Sequence, residues 1–105
     1  MELPKFFQIM NEETPNVFKG FFQMAEAIKD DGGLDEKTFQ LIYIALKAAG
    51  GSDGLGSVVA HTAMAKSAGA TREEIRGAVL VSLMTSGLTG VNSCLEAALD
   101  AYDKA

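Results

Sequence analysis

Three glycine-bearing breaks cut this chain into helix-length pieces, and that spacing constrains the fold more than any other feature. The breaks are Asp30-Asp31-Gly32-Gly33, Gly50-Gly51-Ser52-Asp53-Gly54 and Gly69-Ala70-Thr71, each rich in residues that favour turns. The pieces between them carry apolar residues at helical rather than strand spacing. No β alternation is long enough to compete. The expected fold is all-α, one small domain over residues 1–105 with about five to six helices.

Local signals place the helices. Thr14-Pro15 predicts a start, with a hydroxyl cap and then proline where its missing N–H costs nothing. Val17, Phe18, Phe21, Phe22, Met24, Ala25 and Ile28 then form one stripe. A shorter turn of helix holds Phe6, Phe7 and Met10. The next helix opens near Asp35 and runs to about Ala49, with Phe39, Ile42, Ala45, Leu46 and Ala49 facing inward and Glu36, Lys37 and Lys47 facing solvent. Gly50 is expected to stop it in a left-handed conformation. Another runs from about Leu55 to Ala68, ended by Gly69. Thr71-Arg72-Glu73-Glu74 reads as a capping box that launches Ile75 to Met84. The last helix spans about Val91 to Tyr102, with Leu95, Ala98, Leu99 and Tyr102 inward. The echo between Lys47–Ser52 and Lys66–Thr71 is shared helix-end punctuation, not a repeat.

The chain has 105 residues, the size of one ordinary domain. Its Ala78–Met84 segment is apolar nearly all round a helix, which a domain this small has difficulty enclosing. The expectation is therefore a homo-oligomer. With 9 Lys and Arg against 14 acids and a net charge of −5, nucleic acid is a poor partner. A single cysteine, Cys94, and a single histidine, His61, exclude an intramolecular disulfide, a zinc knuckle and every two-histidine motif. No metal site and no cofactor are expected. The first residues lack a signal-peptide pattern, and no apolar run reaches about 18 residues. A cytoplasmic protein with no membrane span is expected.

His61 is the one side chain whose ordinary pKa lies near neutrality. Ser57 sits one turn before it on the same helix face. The pair lacks the orienting carboxylate of a catalytic triad. Such a histidine either fills a core or interface with its ring bonded to an oxygen, or acts as an acid–base group. The glycine-rich segment from Gly50 to Gly56 lacks the Gly-Lys-Ser/Thr ending of a phosphate loop and follows a helix, so it reads as a connection.

The stretch Leu34-Asp35-Glu36-Lys37-Thr38-Phe39-Gln40-Leu41-Ile42, then His61, then Ala65-Lys66-Ser67-Ala68-Gly69-Ala70-Thr71-Arg72-Glu73-Glu74-Ile75 resembles the carboxymuconolactone decarboxylase family, which includes the alkylhydroperoxidase D-like proteins. The resemblance runs from about Leu34 to Ala101. It implies an all-helical fold that assembles as trimers or hexamers. It also implies one of two chemistries. Peroxidase-type members carry Cys-x-x-Cys-x-x-x-His and a proton-relaying Glu. The cysteine positions match Gly54 and Ser57 here, the His matches His61, and the Glu position falls on Gln40.

Disulfide chemistry needs an attacking thiolate and a resolving thiol. Glycine and serine supply neither, which excludes the two-cysteine mechanism. Three readings stay open. One is cofactor-independent acid–base chemistry on a small organic acid or lactone, with His61 as the acid–base group, Ser57 or Gln40 holding the substrate, and Arg72, Arg76 or Lys66 pairing its carboxylates. The second is a peroxidase using Cys94, a residue whose commoner role is to fill a core. The third is a non-catalytic oligomeric binding protein.

Overall fold

A computed structural model describes residues 3–105. They form seven α-helical segments and one 3-10 turn, with no strand among the described residues. The chain divides into two compact units, Met1–Leu34 and Asp35–Ala105.

The first unit is a pair of helices, α1 (Lys5–Glu13) and α2 (Pro15–Gly32), packed on each other. Phe7 of α1 meets Phe18, Phe21 and Phe22 of α2, with ring centroids 5.3 to 6.2 Å apart. The helix predicted around Phe6 and Met10 is thus real and longer than a single turn. Pro15 does open α2, but the Thr14 hydroxyl does not cap it; it donates backwards to the Met10 carbonyl. Helix α2 also runs through Asp30 and Asp31, which were expected in a turn. It ends one residue later in a Schellman arrangement, where Leu34 N–H reaches the Lys29 carbonyl and Gly33 is left-handed.

The second unit holds α3 (Glu36–Ala48), the 3-10 turn Gly51–Gly54, α4 (Leu55–Ser67), α5 (Arg72–Val81), the four-residue α6 (Leu83–Ser86) and α7 (Leu88–Lys104). Asp35 caps α3 by accepting the Thr38 N–H at 2.7 Å. The Thr71 capping box forms as expected, Thr71 Oγ1 accepting from Glu74 N–H and Glu74 Oε1 from Thr71 N–H. Glu74 also pairs with Lys37 of α3 at 3.2 Å.

The core is built from small and β-branched side chains: Ile44 and Ala48 of α3, Val58 and Ala65 of α4, Ile75, Ala78 and Val79 of α5, and Cys94 and Ala98 of α7. Leu41, Leu55, Leu95 and Tyr102 close over them. Helix α3 packs mainly on α4 and α5, and α7 packs on α4 and α5. Small residues let these helices approach closely. A β-carbon at Gly54 would overlap the Lys47 carbonyl, and one at Gly90 would overlap the Ala48 carbonyl and approach Ser82 Oγ to 2.6 Å.

Several expectations are corrected here. The buried face of α3 is Gln40, Ile44 and Ala48, while Ile42 and Leu46 are exposed, Leu46 to 70%. The left-handed residue after α3 is Gly51 (φ 65°), not Gly50. The helix expected to run to Met84 is interrupted at buried Ser82, which keeps right-handed helical dihedrals but donates both its N–H and its hydroxyl to the Val79 carbonyl, and α6 follows directly. The last helix is longer than expected at both ends. The apolar segment is not enclosed within the chain. Ala78, Val79 and Ser82 are buried, whereas Leu80, Val81, Leu83 and Met84 are exposed, Met84 to 86%.

Candidate functional site

The site grows from a stripe on α3 that faces α4. Glu36, Gln40, Tyr43 and Lys47 recur at spacings of four, three and four, so they line one face of the helix. His61 projects from α4 onto this stripe. Its Nδ1 lies in hydrogen-bond contact with Gln40 Oε1 at 2.6 Å, and Gln40 Nε2 donates to Glu36 Oε1 at 2.8 Å. Gln40 is 3% exposed, so its amide has exchanged water for these two partners, as a buried polar group must. No buried side-chain nitrogen or oxygen among the described residues lacks a hydrogen-bond partner.

Tyr43 fixes the ring from the side. Its ring stacks on the imidazole with centroids 3.7 Å apart and planes 20° apart. Lys47 Nζ lies 5.8 Å from the other aromatic centroid, that of Tyr43. Half-burial pushes the His61 pKa below its ordinary 6.5, the Lys47 charge pushes it the same way, and Glu36 pulls against both. The ring is therefore neutral at neutral pH.

The remaining candidates lie at different distances from this cluster. Ser57 is half-buried one turn earlier on α4, and its hydroxyl makes no hydrogen bond to the ring among the described residues. Cys94 is fully buried, its thiol directed at the Gly51 carbonyl at 3.5 Å, and burial pushes its pKa up. Lys66 and Arg72 are engaged elsewhere. Lys66 Nζ caps the end of α7 through the Tyr102 and Ala105 carbonyls and sits over the Tyr102 ring. Arg72 pairs with Asp103 at 2.9 Å, and Arg76 is exposed. Among the cations, Lys47 is the one whose charge reaches His61.

Sequence reasoning missed Tyr43 and the role of Glu36, which is exposed as expected of a solvent-facing charge but also accepts a hydrogen bond from Gln40. Their signal was present: with Gln40 and Lys47 they form a polar and aromatic stripe at helical period on the helix preceding the histidine. No group of three or more His, Cys, Asp or Glu among the described residues is placed to hold a metal ion.

A family model, that of the carboxymuconolactone decarboxylase family, matches residues 15–100. The chain belongs to this family. No curated protein and no solved structure matches it significantly. The family match begins well before Leu34, so it takes in α2 as well as the helices that carry the site. The position at which the resemblance places the first redox cysteine is Gly54, where the Lys47 carbonyl leaves no space for any side chain. No described helix is long and apolar enough to cross a membrane.

Proposed function

We propose that this member of the carboxymuconolactone decarboxylase family carries out cofactor-independent acid–base chemistry on a small organic acid or lactone, with His61 as the proton-exchanging group. The observation that carries the reading is the Glu36–Gln40–His61 hydrogen-bond chain, with Tyr43 stacked on the ring. It engages one ring nitrogen, and in this reading the other meets the substrate. A neutral imidazole of lowered pKa takes up a proton and gives it away readily.

For a carboxylactone the step balances as follows. The bond between the ring carbon and the carboxylate breaks, its electron pair passes into the conjugated lactone, carbon dioxide leaves, and one proton is added to carbon. In this reading His61 first takes a proton from solvent on its free ring nitrogen, delivers it to the carbon, and returns to the neutral form. In this reading Lys47 favours the substrate carboxylate by charge, and Ser57, one turn from His61 on α4, contacts the substrate. The peroxidase alternative through Cys94 has less support, because a buried thiol with a raised pKa is a poor nucleophile.

The same reading includes self-association. Leu80, Val81, Leu83, Met84 and Leu88 form an exposed apolar shoulder at the α5–α7 junction, which suits burial against a second copy in a cytoplasmic trimer or hexamer. The whole chain is taken as one functional domain, in line with a family match that crosses both units. The test is release of carbon dioxide from a carboxymuconolactone by the purified protein. Turnover that disappears in His61→Ala while assembly persists supports the proposal; turnover unaffected by that change overturns it.

A further inference from the structure

We infer that Glu36, acting through Gln40, holds the His61 ring in the form that carries its hydrogen on Nδ1 and so makes Nε2 the proton-exchanging atom. Its catalytic consequence rests on the acid–base reading above; the lock itself does not.

A primary amide is nearly symmetric in shape but opposite in function at its two ends. The NH2 end only donates and the oxygen only accepts. The buried Gln40 amide is therefore oriented by its partners, not by packing. Glu36 is a carboxylate, an acceptor, and its Oε1 lies 2.8 Å from Gln40 Nε2. Turning the amide over would set its oxygen against the carboxylate oxygen, a repulsive contact in a partly buried place. The NH2 end is thus committed to Glu36, and Oε1 is committed to His61 Nδ1 at 2.6 Å. An oxygen at that distance demands a hydrogen on Nδ1, so a neutral ring has none on Nε2.

Tyr43 completes the device. Stacked at 3.7 Å, it resists rotation of the imidazole that would exchange the two nitrogens. Lys47, the other charged group on this face of α3, acts at longer range and lies over the Tyr43 ring. Glu36 does not touch the ring. It is a positioning residue, and it sits one turn before the glutamine at which the family resemblance places a glutamate.

The test uses the full chain labelled with nitrogen-15 histidine. His61 is its one histidine, so the spectrum holds a single imidazole, read at about pH 8 where the ring is neutral. The wild-type protein is expected to show a protonated Nδ1 and a bare Nε2. Glu36→Lys replaces an acceptor by a donor, which turns the Gln40 amide over and moves the ring hydrogen to Nε2. Glu36→Ala releases the amide, and both ring forms appear. A wild-type ring protonated on Nε2, or an unchanged Nδ1–H ring in both variants, overturns the inference. No substrate enters the measurement. A lock found in a protein without turnover removes the catalytic reading alone, and turnover without a lock removes this inference alone.

Discussion

The α-carbon of Gly54 lies so close to the backbone carbonyl of Lys47 that a β-carbon there would overlap the carbonyl oxygen and carbon. This contact joins the 3-10 turn to the end of α3, and it lies seven residues before His61. At the position where the family resemblance would set a cysteine, the backbone therefore leaves no space for a side chain.

Restoring the cysteine pair is accordingly expected to fail. Gly54→Ala should cost about 1–3 kcal/mol or more, since the obstacle is backbone and cannot rotate away. The double variant Gly54→Cys with Ser57→Cys should be similarly destabilised and consume no peroxide. Urea denaturation and a peroxide assay check both parts. A stable double variant with peroxidase turnover would show that the turn yields easily.

Much of the fold was legible because its signals are local. The Thr71 capping box, the Asp35 cap and the Gly69 stop each depend on a few adjacent residues, and each forms as read. The inward face of α3 was misread because Ile42 and Leu46 are more apolar than Gln40, which is buried while they are exposed. Burial of Gln40 is decided by its two hydrogen-bond partners, one of them on another helix. Hydrophobicity along one helix carries no trace of that pairing. The site was legible only in part: His61 and Gln40 were both named from the sequence, but their contact, and the stacking of Tyr43, are made only by the packing of α3 on α4. The break at Ser82 was hidden too, since a serine within an apolar run gives no strong stop.

Protonation of His61 should weaken the fold. Its folded pKa lies below the ordinary 6.5, first through burial and then through Lys47. The unfolded chain therefore binds this proton more readily. The contribution is complete above pH 6.5 and is lost as pH falls through 6.5 towards the lower folded value. Urea midpoints measured between about pH 7.5 and 5.5 should fall in the wild-type protein. His61→Gln should flatten this part of the profile.

Removing the Lys47 charge should move the same ring the other way. Lys47→Met takes away a cation that disfavours the imidazolium, so the His61 pKa is expected to rise towards its ordinary value. Titration of the single histidine by nuclear magnetic resonance reads this directly. A pKa that stays in place or falls would show that burial acts alone.

The exposed apolar shoulder gives a prediction about assembly. Val81 and Met84 are exposed to 54% and 86%, so charging them costs the isolated chain little. Val81→Glu with Met84→Glu should leave helicity and thermal stability of the single chain close to those of the parent. Sedimentation velocity should show a shift from oligomer to monomer. An unchanged oligomer would place the contact on another surface.

Mutation of the two reactive candidates in parallel tests the central claim most directly. Carbon dioxide release from a carboxymuconolactone is measured for the parent, His61→Gln and Cys94→Ala, each confirmed folded. The account predicts a loss of about a hundredfold or more for His61→Gln, the scale of a missing acid–base group, with turnover retained in Cys94→Ala. Turnover that survives His61→Gln and vanishes with Cys94→Ala would contradict it.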